Sequence, residues 1–161
     1  KNGTLMIMFG GEKKHFVKEK KILSEFGLVE HVGPIGSGHA MKALNNYVSA
    51  AGLISSFQAI ATAEKFGIKQ KIFQKVINSS TGKNNTTEVK IDKFVIPKRF
   101  NSGFALKLMT KDIQIANNMI KKFNFDTPLT KGVINSLIDG LDSLGEFADH
   151  TELYNYIVKK N

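Results

Sequence analysis

The chain contains no cysteine, only three prolines and a single arginine, Arg99, in 161 residues. Without cysteine there is no disulfide scaffold and no thiolate nucleophile or metal ligand, a usage that suits a reducing compartment, the cytoplasm. No apolar run approaches the ~18 residues of a membrane span. The longest candidate, 48–60, is interrupted by Ser49, Gly52, Ser55, Ser56 and Gln58. No signal peptide is visible and the first residue is Lys1, so the chain reads as a piece of a longer protein. Arginine is the usual bidentate reader of phosphate and guanine, and its scarcity argues against nucleic acid despite the net charge of +9. The densest basic stretch, "EKKHFVKEKK" (12–21), interleaves Glu12 and Glu19 with Phe16 and Val17, as the solvated face of a surface helix does. The four histidines, His15, His31, His39 and His150, show no metal-ligand spacing, and no metal site is expected.

What is present divides near residue 35. "GTLMIMFGG" (3–11) is a short apolar run ended by two glycines, which predicts a buried strand and a tight turn. Residues 12–26 predict a helix stopped by Gly27, and "LVEHVG" (28–33) predicts a second strand. Two strands do not make a stable sheet alone, so residues 1–35 read as the end of a nucleotide-binding, Rossmann-type domain, with its other strands elsewhere. Beyond this point strands vanish. A proline-free helical pattern from 39 to about 66 predicts one long central helix, rich in alanine for close packing. Shorter helices are predicted near 69–79, 85–96, 105–123, 129–143 and 150–159. The fold expectation is therefore mainly α: an all-helical domain over 36–161, preceded by a strand–helix–strand remnant.

The candidate chemistry lies in "GPIGSGHAMKALNN" (33–46). A dinucleotide fingerprint fails here because its third glycine position falls on Met41, and a Walker-type loop fails because Gly38 is followed by His39 and Ala40. A solvated helix start remains the plain alternative. Against it, Lys42 and Asn46 are four apart and share a helix face with Ser49, beside Asn45. A lysine near a helix N-terminus also sits against the positive end of the macrodipole, which disfavours its charged form. Those are the conditions for a lysine that exchanges protons.

This stretch resembles the Gly-x-Gly-x-x-x-Lys-x-x-x-Asn signature of the β-hydroxyacid dehydrogenases, the family of 3-hydroxyisobutyrate dehydrogenase and tartronate semialdehyde reductase. "GTLMIMFGG", "SSTGKNNTTEVK" (79–90), "FNSGFALKLMTKDIQIA" (100–116) and "DHTELYNYI" (149–157) resemble further family segments in the same order. The resemblance implies an NAD- or NADP-dependent enzyme that interconverts a small 3-hydroxyacid and its semialdehyde. It implies Lys42 as the catalytic acid/base, and Asn46 and, less directly, Asn45 as substrate contacts. Phe104 and Asp112 are implied to line the substrate pocket, Gly36 and Gly38 to allow close approach at the cleft, and Lys111 to contact the cofactor. It further implies a missing N-terminal Rossmann domain and a homodimer or homotetramer, and an isolated chain without turnover. A helical module for nucleic-acid binding or oligomerisation is the alternative. The two readings differ in whether Lys42, Asn46, Lys111 and Asp112 converge on one cleft.

Overall fold

A computed structural model describes residues 3–159, and the chain divides into two compact units at Asn45–Asn46. The fold is mainly α. In the first unit, strand β1 (Leu5–Gly10), helix α1 (Lys13–Ser24) and strand β2 (Gly27–Gly33) form a crossover with the two strands parallel. The register runs from Leu5 opposite Gly27 to Gly10 opposite Gly33, with an irregularity after Phe9. Phe16 of α1 packs on Phe9 and His31 at ring separations of 5.6 and 5.3 Å. The His31 Nε2 bonds the Gly11 carbonyl at 2.7 Å, which fixes the turn after β1. Among the described residues the sheet has only these two strands, so the second edge of β1 carries no strand partner.

Helix α2 (Ser37–Lys65) begins in the first unit and continues through the second. In the second unit Ala50, Leu53, Phe57 and Ile60 are fully buried, on the i, i+3, i+7 spacing that one helix face requires. Around them pack Ile91 and Val95 of a π-helix (Thr86–Val95), Leu106 and Ile113 of α4 (Leu106–Lys122), Leu137 of α5 (Pro128–Leu144) and Leu153 of α6 (Leu153–Lys159). Each such side chain contributes about 1.5–3 kcal/mol of burial. Helix α3 (Gln70–Asn78) has no fully buried residue. Asn84 starts the π-helix: its Oδ1 accepts from the Thr86 and Thr87 amides at 2.9 and 3.3 Å.

The expected elements are all present within a few residues of their expected ends, but β1, expected as a buried strand, leaves Leu5 and Met6 exposed, and two helical segments differ in detail. The segment expected as an ordinary helix over 85–96 is wound more loosely, as a π-helix. The last segment opens with a 3₁₀ turn (His150–Glu152) before α6.

Candidate active site

In the first unit, Lys42 lies in α2 and is exposed. It lines a cavity of about 660 Å³ together with Met6, Met8 and Gly10 of β1, Ile22 of α1 and His39 of α2. Gly36 and Gly38 line the same cavity, for different reasons. Gly36 has φ +89°, a left-handed conformation that glycine adopts without steric cost. A Cβ on Gly38 would meet the Met8 carbonyl oxygen at 2.3 Å. The close approach that Gly38 permits is thus between α2 and β1 of its own unit. Ser37, between them, has a buried hydroxyl with no hydrogen-bond partner among the described residues.

In the second unit, Asn46 and Asp112 come together although they are 66 residues apart: Asn46 Nδ2 donates to Asp112 Oδ2 at 2.8 Å. Asp112 is buried in α4, whereas Lys111 beside it is exposed. Asn45 is exposed one residue before Asn46. Lys107 Nζ donates to Glu146 at 2.6 Å, so its charge is met by the protein itself. That bond also holds the Glu146 carboxyl below the usual carboxylate value.

Phe104 is held by a polar clamp built on Asp149. Asp149 Oδ1 accepts from Ser102 Oγ and the Thr151 amide at 2.9 Å each, and from the Thr151 hydroxyl. Asp149 Oδ2 accepts from Ser102 Oγ, the Gly103 amide and the Phe104 amide at 2.8, 2.9 and 3.3 Å. The Phe104 carbonyl in turn accepts from the His150 amide at 2.9 Å and faces His150 Nδ1 at 3.0 Å. The two rings meet edge to face at 5.5 Å. Burial alone would push the Asp149 carboxyl up, but hydrogen bonds from Thr151 and Ser102, with His150 alongside, outweigh it and hold it below its ordinary value. Burial, then the charge of Lys90, push the His150 imidazole below the ordinary histidine value. The only sequence signal for this clamp was the acidic residue and threonine at the start of the last helix.

Residues 36–157 match the family described as NAD-binding of NADP-dependent 3-hydroxyisobutyrate dehydrogenase. The chain belongs to this family. It is 33% identical over 144 residues to 2-(hydroxymethyl)glutarate dehydrogenase of Eubacterium barkeri, covering 89% of this chain and 48% of that one. It is 31% identical over 133 residues to the mitochondrial 3-hydroxyisobutyrate dehydrogenase of Drosophila melanogaster, covering 78% of this chain and 41% of that one. The chain therefore spans about half the length of these family members. Its fold is that of a Mycobacterium tuberculosis 3-hydroxyisobutyrate dehydrogenase solved with L-serine. That match has a TM-score of 0.85 and 23% identity, covering 96% of this chain and 55% of the other. A structure described as Psf3 in complex with NADP+ and 2-OPP gives a TM-score of 0.86 at 18% identity, covering 96% and 54%. Among the described residues no helix is long and apolar enough to cross a membrane.

Proposed function

We propose that this chain is the acid/base-bearing part of an NAD(P)-dependent 3-hydroxyacid dehydrogenase, with Lys42 as the proton-transfer group. Bound NAD(P) would accept the hydride from the carbinol carbon in oxidation and return it in reduction. In oxidation Lys42, as the neutral amine, takes the hydroxyl proton of the substrate; in reduction its ammonium returns that proton to the carbonyl oxygen. The charged amine also stabilises alkoxide character as it develops. Asn46 hydrogen-bonds the same substrate region, with Asn45 beside it, and Phe104 with Asp112 walls the pocket from water.

The observation that carries this reading is the continuity of α2 from Ser37 to Lys65, with Asn46 bonded to the buried Asp112. Lys42 and Asn46 stand four residues apart in that helix, the spacing that shares a face. Lys42 shares its cavity with the bare backbone of Gly36, which leaves room for close approach of a ligand, and with His39 and Glu19. Lys111 would contact the cofactor, and the Gly36 and Gly38 backbone belongs to the substrate side of the reading. The sequence has no glycine-rich diphosphate fingerprint, so the reading assigns that grip to a Rossmann domain outside these residues.

The substrate class follows from the chemistry shared by the named substrates of the relatives. 2-(Hydroxymethyl)glutarate, 3-hydroxyisobutyrate and L-serine, the compounds in the relatives' dehydrogenase names, each carry a hydroxymethyl group on the carbon that bears a carboxylate. The reading extends to a cytoplasmic enzyme, on the absence of cysteine, that assembles as a homodimer or homotetramer. The deciding experiment joins residues 1–161 to a dinucleotide-binding half and compares hydroxyacid oxidation by the native and Lys42→Ala proteins. Loss of 10²–10⁴ in kcat, roughly the worth of a positioned acid/base, is expected. Equal turnover by the two proteins sinks the reading, as does appreciable turnover by the isolated chain.

A further inference from the structure

Lys90 projects from the π-helix and is half-buried. Its ammonium can donate three hydrogen bonds. Among the described residues it makes one, a long approach of 3.5 Å to Ser49 Oγ of α2, and no carboxylate lies within ion-pairing distance of it. Asp149 is the nearest source of opposite charge, but both its oxygens are taken by the clamp bonds from Ser102, Gly103, Phe104 and Thr151. The other neighbour, His150, disfavours a second positive charge beside it, and its Nδ1 is directed to Phe104 and Ser102. Burial pushes the Lys90 ammonium below the ordinary lysine value, and Asp149 only partly opposes this. The protein itself therefore gives this partly desolvated ammonium one long hydrogen bond and no bonded carboxylate. An ammonium kept in that condition beside a hydroxyl is the donor set that an anion completes.

We propose that Lys90 and Ser49 form a subsite for a carboxylate of the substrate, the distal one of a dicarboxylic 3-hydroxyacid. Ser49 follows Asn46 by three residues on the same helix face, so the subsite extends the face already assigned to substrate. The choice of the distal carboxylate is one of length. Asn46 and Ser49, both in the second unit, are three residues apart, roughly 4.5 Å along the helix axis. The hydroxyl and proximal carboxylate of a 3-hydroxyacid are assigned to the Asn46 turn, one turn before Ser49. A second carboxylate at the end of a five-carbon chain reaches further. The substrate assignment rests on the dehydrogenase reading, whereas binding of an anion at Lys90 does not require it.

The test is therefore a binding measurement. The ¹⁵N-labelled 161-residue chain is titrated with glutarate, and separately with inorganic phosphate, in the native, Lys90→Met and Lys90→Arg forms. Glutarate is expected to shift the Ser49 and Lys90 amide resonances saturably, with affinity at least tenfold weaker in Lys90→Met and within threefold of native in Lys90→Arg. Lys90→Met is also expected to melt at or above the native temperature, because a poorly compensated cation has been removed. Three results each overturn the proposal: no saturable shift at these residues, unchanged glutarate affinity in Lys90→Met, or phosphate bound there as tightly as glutarate. A fall in Tm with the binding unchanged would assign Lys90 a structural role instead. Should Lys90→Met fail to fold, Lys90→Gln carries the same comparison. A negative outcome leaves the Lys42→Ala experiment untouched, so the two readings fail separately.

Discussion

Asn46 and Asp112 meet at 2.8 Å across 66 residues of sequence, joining the middle of the chain to the long central helix. Because Asp112 is buried, losing this donor removes a hydrogen bond to a carboxyl group that is costly to leave less well satisfied. Asn46→Ala should therefore lower unfolding free energy by about 1–3 kcal/mol. A double-mutant cycle with Asp112→Ala, followed by urea denaturation, should show coupling of about 0.5–3 kcal/mol. Additive losses would mean that the contact is not energetically used.

The Asp149 clamp sets the response to acid. Both Asp149 and His150 have folded-state values below their ordinary ones, 3.8 and 6.5. A depressed value gives stability that is present above the unfolded-state value and lost as pH falls through the folded one. The urea midpoint should thus begin to fall below pH 6.5 as His150 is driven to protonate, and fall again below pH 3.8. Each unit of depression at His150 is worth about 1.4 kcal/mol. His150→Gln should flatten the first part of that slope, and urea melts at pH 7, 6 and 5 would show it.

At the other end of the scale stands Tyr154. It is buried against Phe57, donates to Glu64 and accepts from Gln70 at 3.2 Å. Burial, then the bond to Glu64, push its hydroxyl from 10.0 up to about 12. A raised value means stability fully present below pH 10 and lost as pH rises towards 12. Tyr154→Phe should cost about 1 kcal/mol at pH 8, and the gap from native should narrow at pH 11. A gap that stays constant between those pH values would exclude titration of Tyr154 as its source.

Two glycines inside helices should respond oppositely to alanine. A Cβ on Gly52 would rest 3.6 Å from Asn84, an ordinary contact, so Gly52→Ala should stabilise by about 0.5–1 kcal/mol. A Cβ on Gly140 would lie 2.4 Å from Leu153 Cδ1, and Leu153 is fully buried and cannot easily yield. Gly140→Ala should cost about 1–3 kcal/mol through overpacking. Thermal melts of the two variants separate these cases.

Much of the architecture was legible because it depends on local pattern. The glycine-bounded apolar runs gave both strands, and the absence of proline from 39 to 66 gave α2. The π-helix was not legible, since the buried residues Thr87, Ile91 and Val95 fall on a four-residue spacing that an ordinary helix also satisfies. The composition shift at 35 marks where strands stop, whereas the first compact unit runs on through Asn45 because the opening turns of α2 pack on β1. Local pattern also suggested Lys42 and Asn46 as a pair. It was silent about Lys107–Glu146 and about Ser102–Asp149, because each joins residues of ordinary polar type across 39 and 47 positions. Lys90 carried no signal either; only burial distinguishes it from its solvated neighbours.

The clamp around Phe104 also dictates an order of events while the chain is being made. Phe104 and its His150 partner are 46 residues apart, so the ribosome adds the second roughly 2–9 s after the first. For that interval the segment that walls the proposed pocket has neither its carboxylate anchor nor its ring partner. Nascent chains stalled before Ala148 should be cleaved readily near Phe104, and full-length chains released from the ribosome should resist.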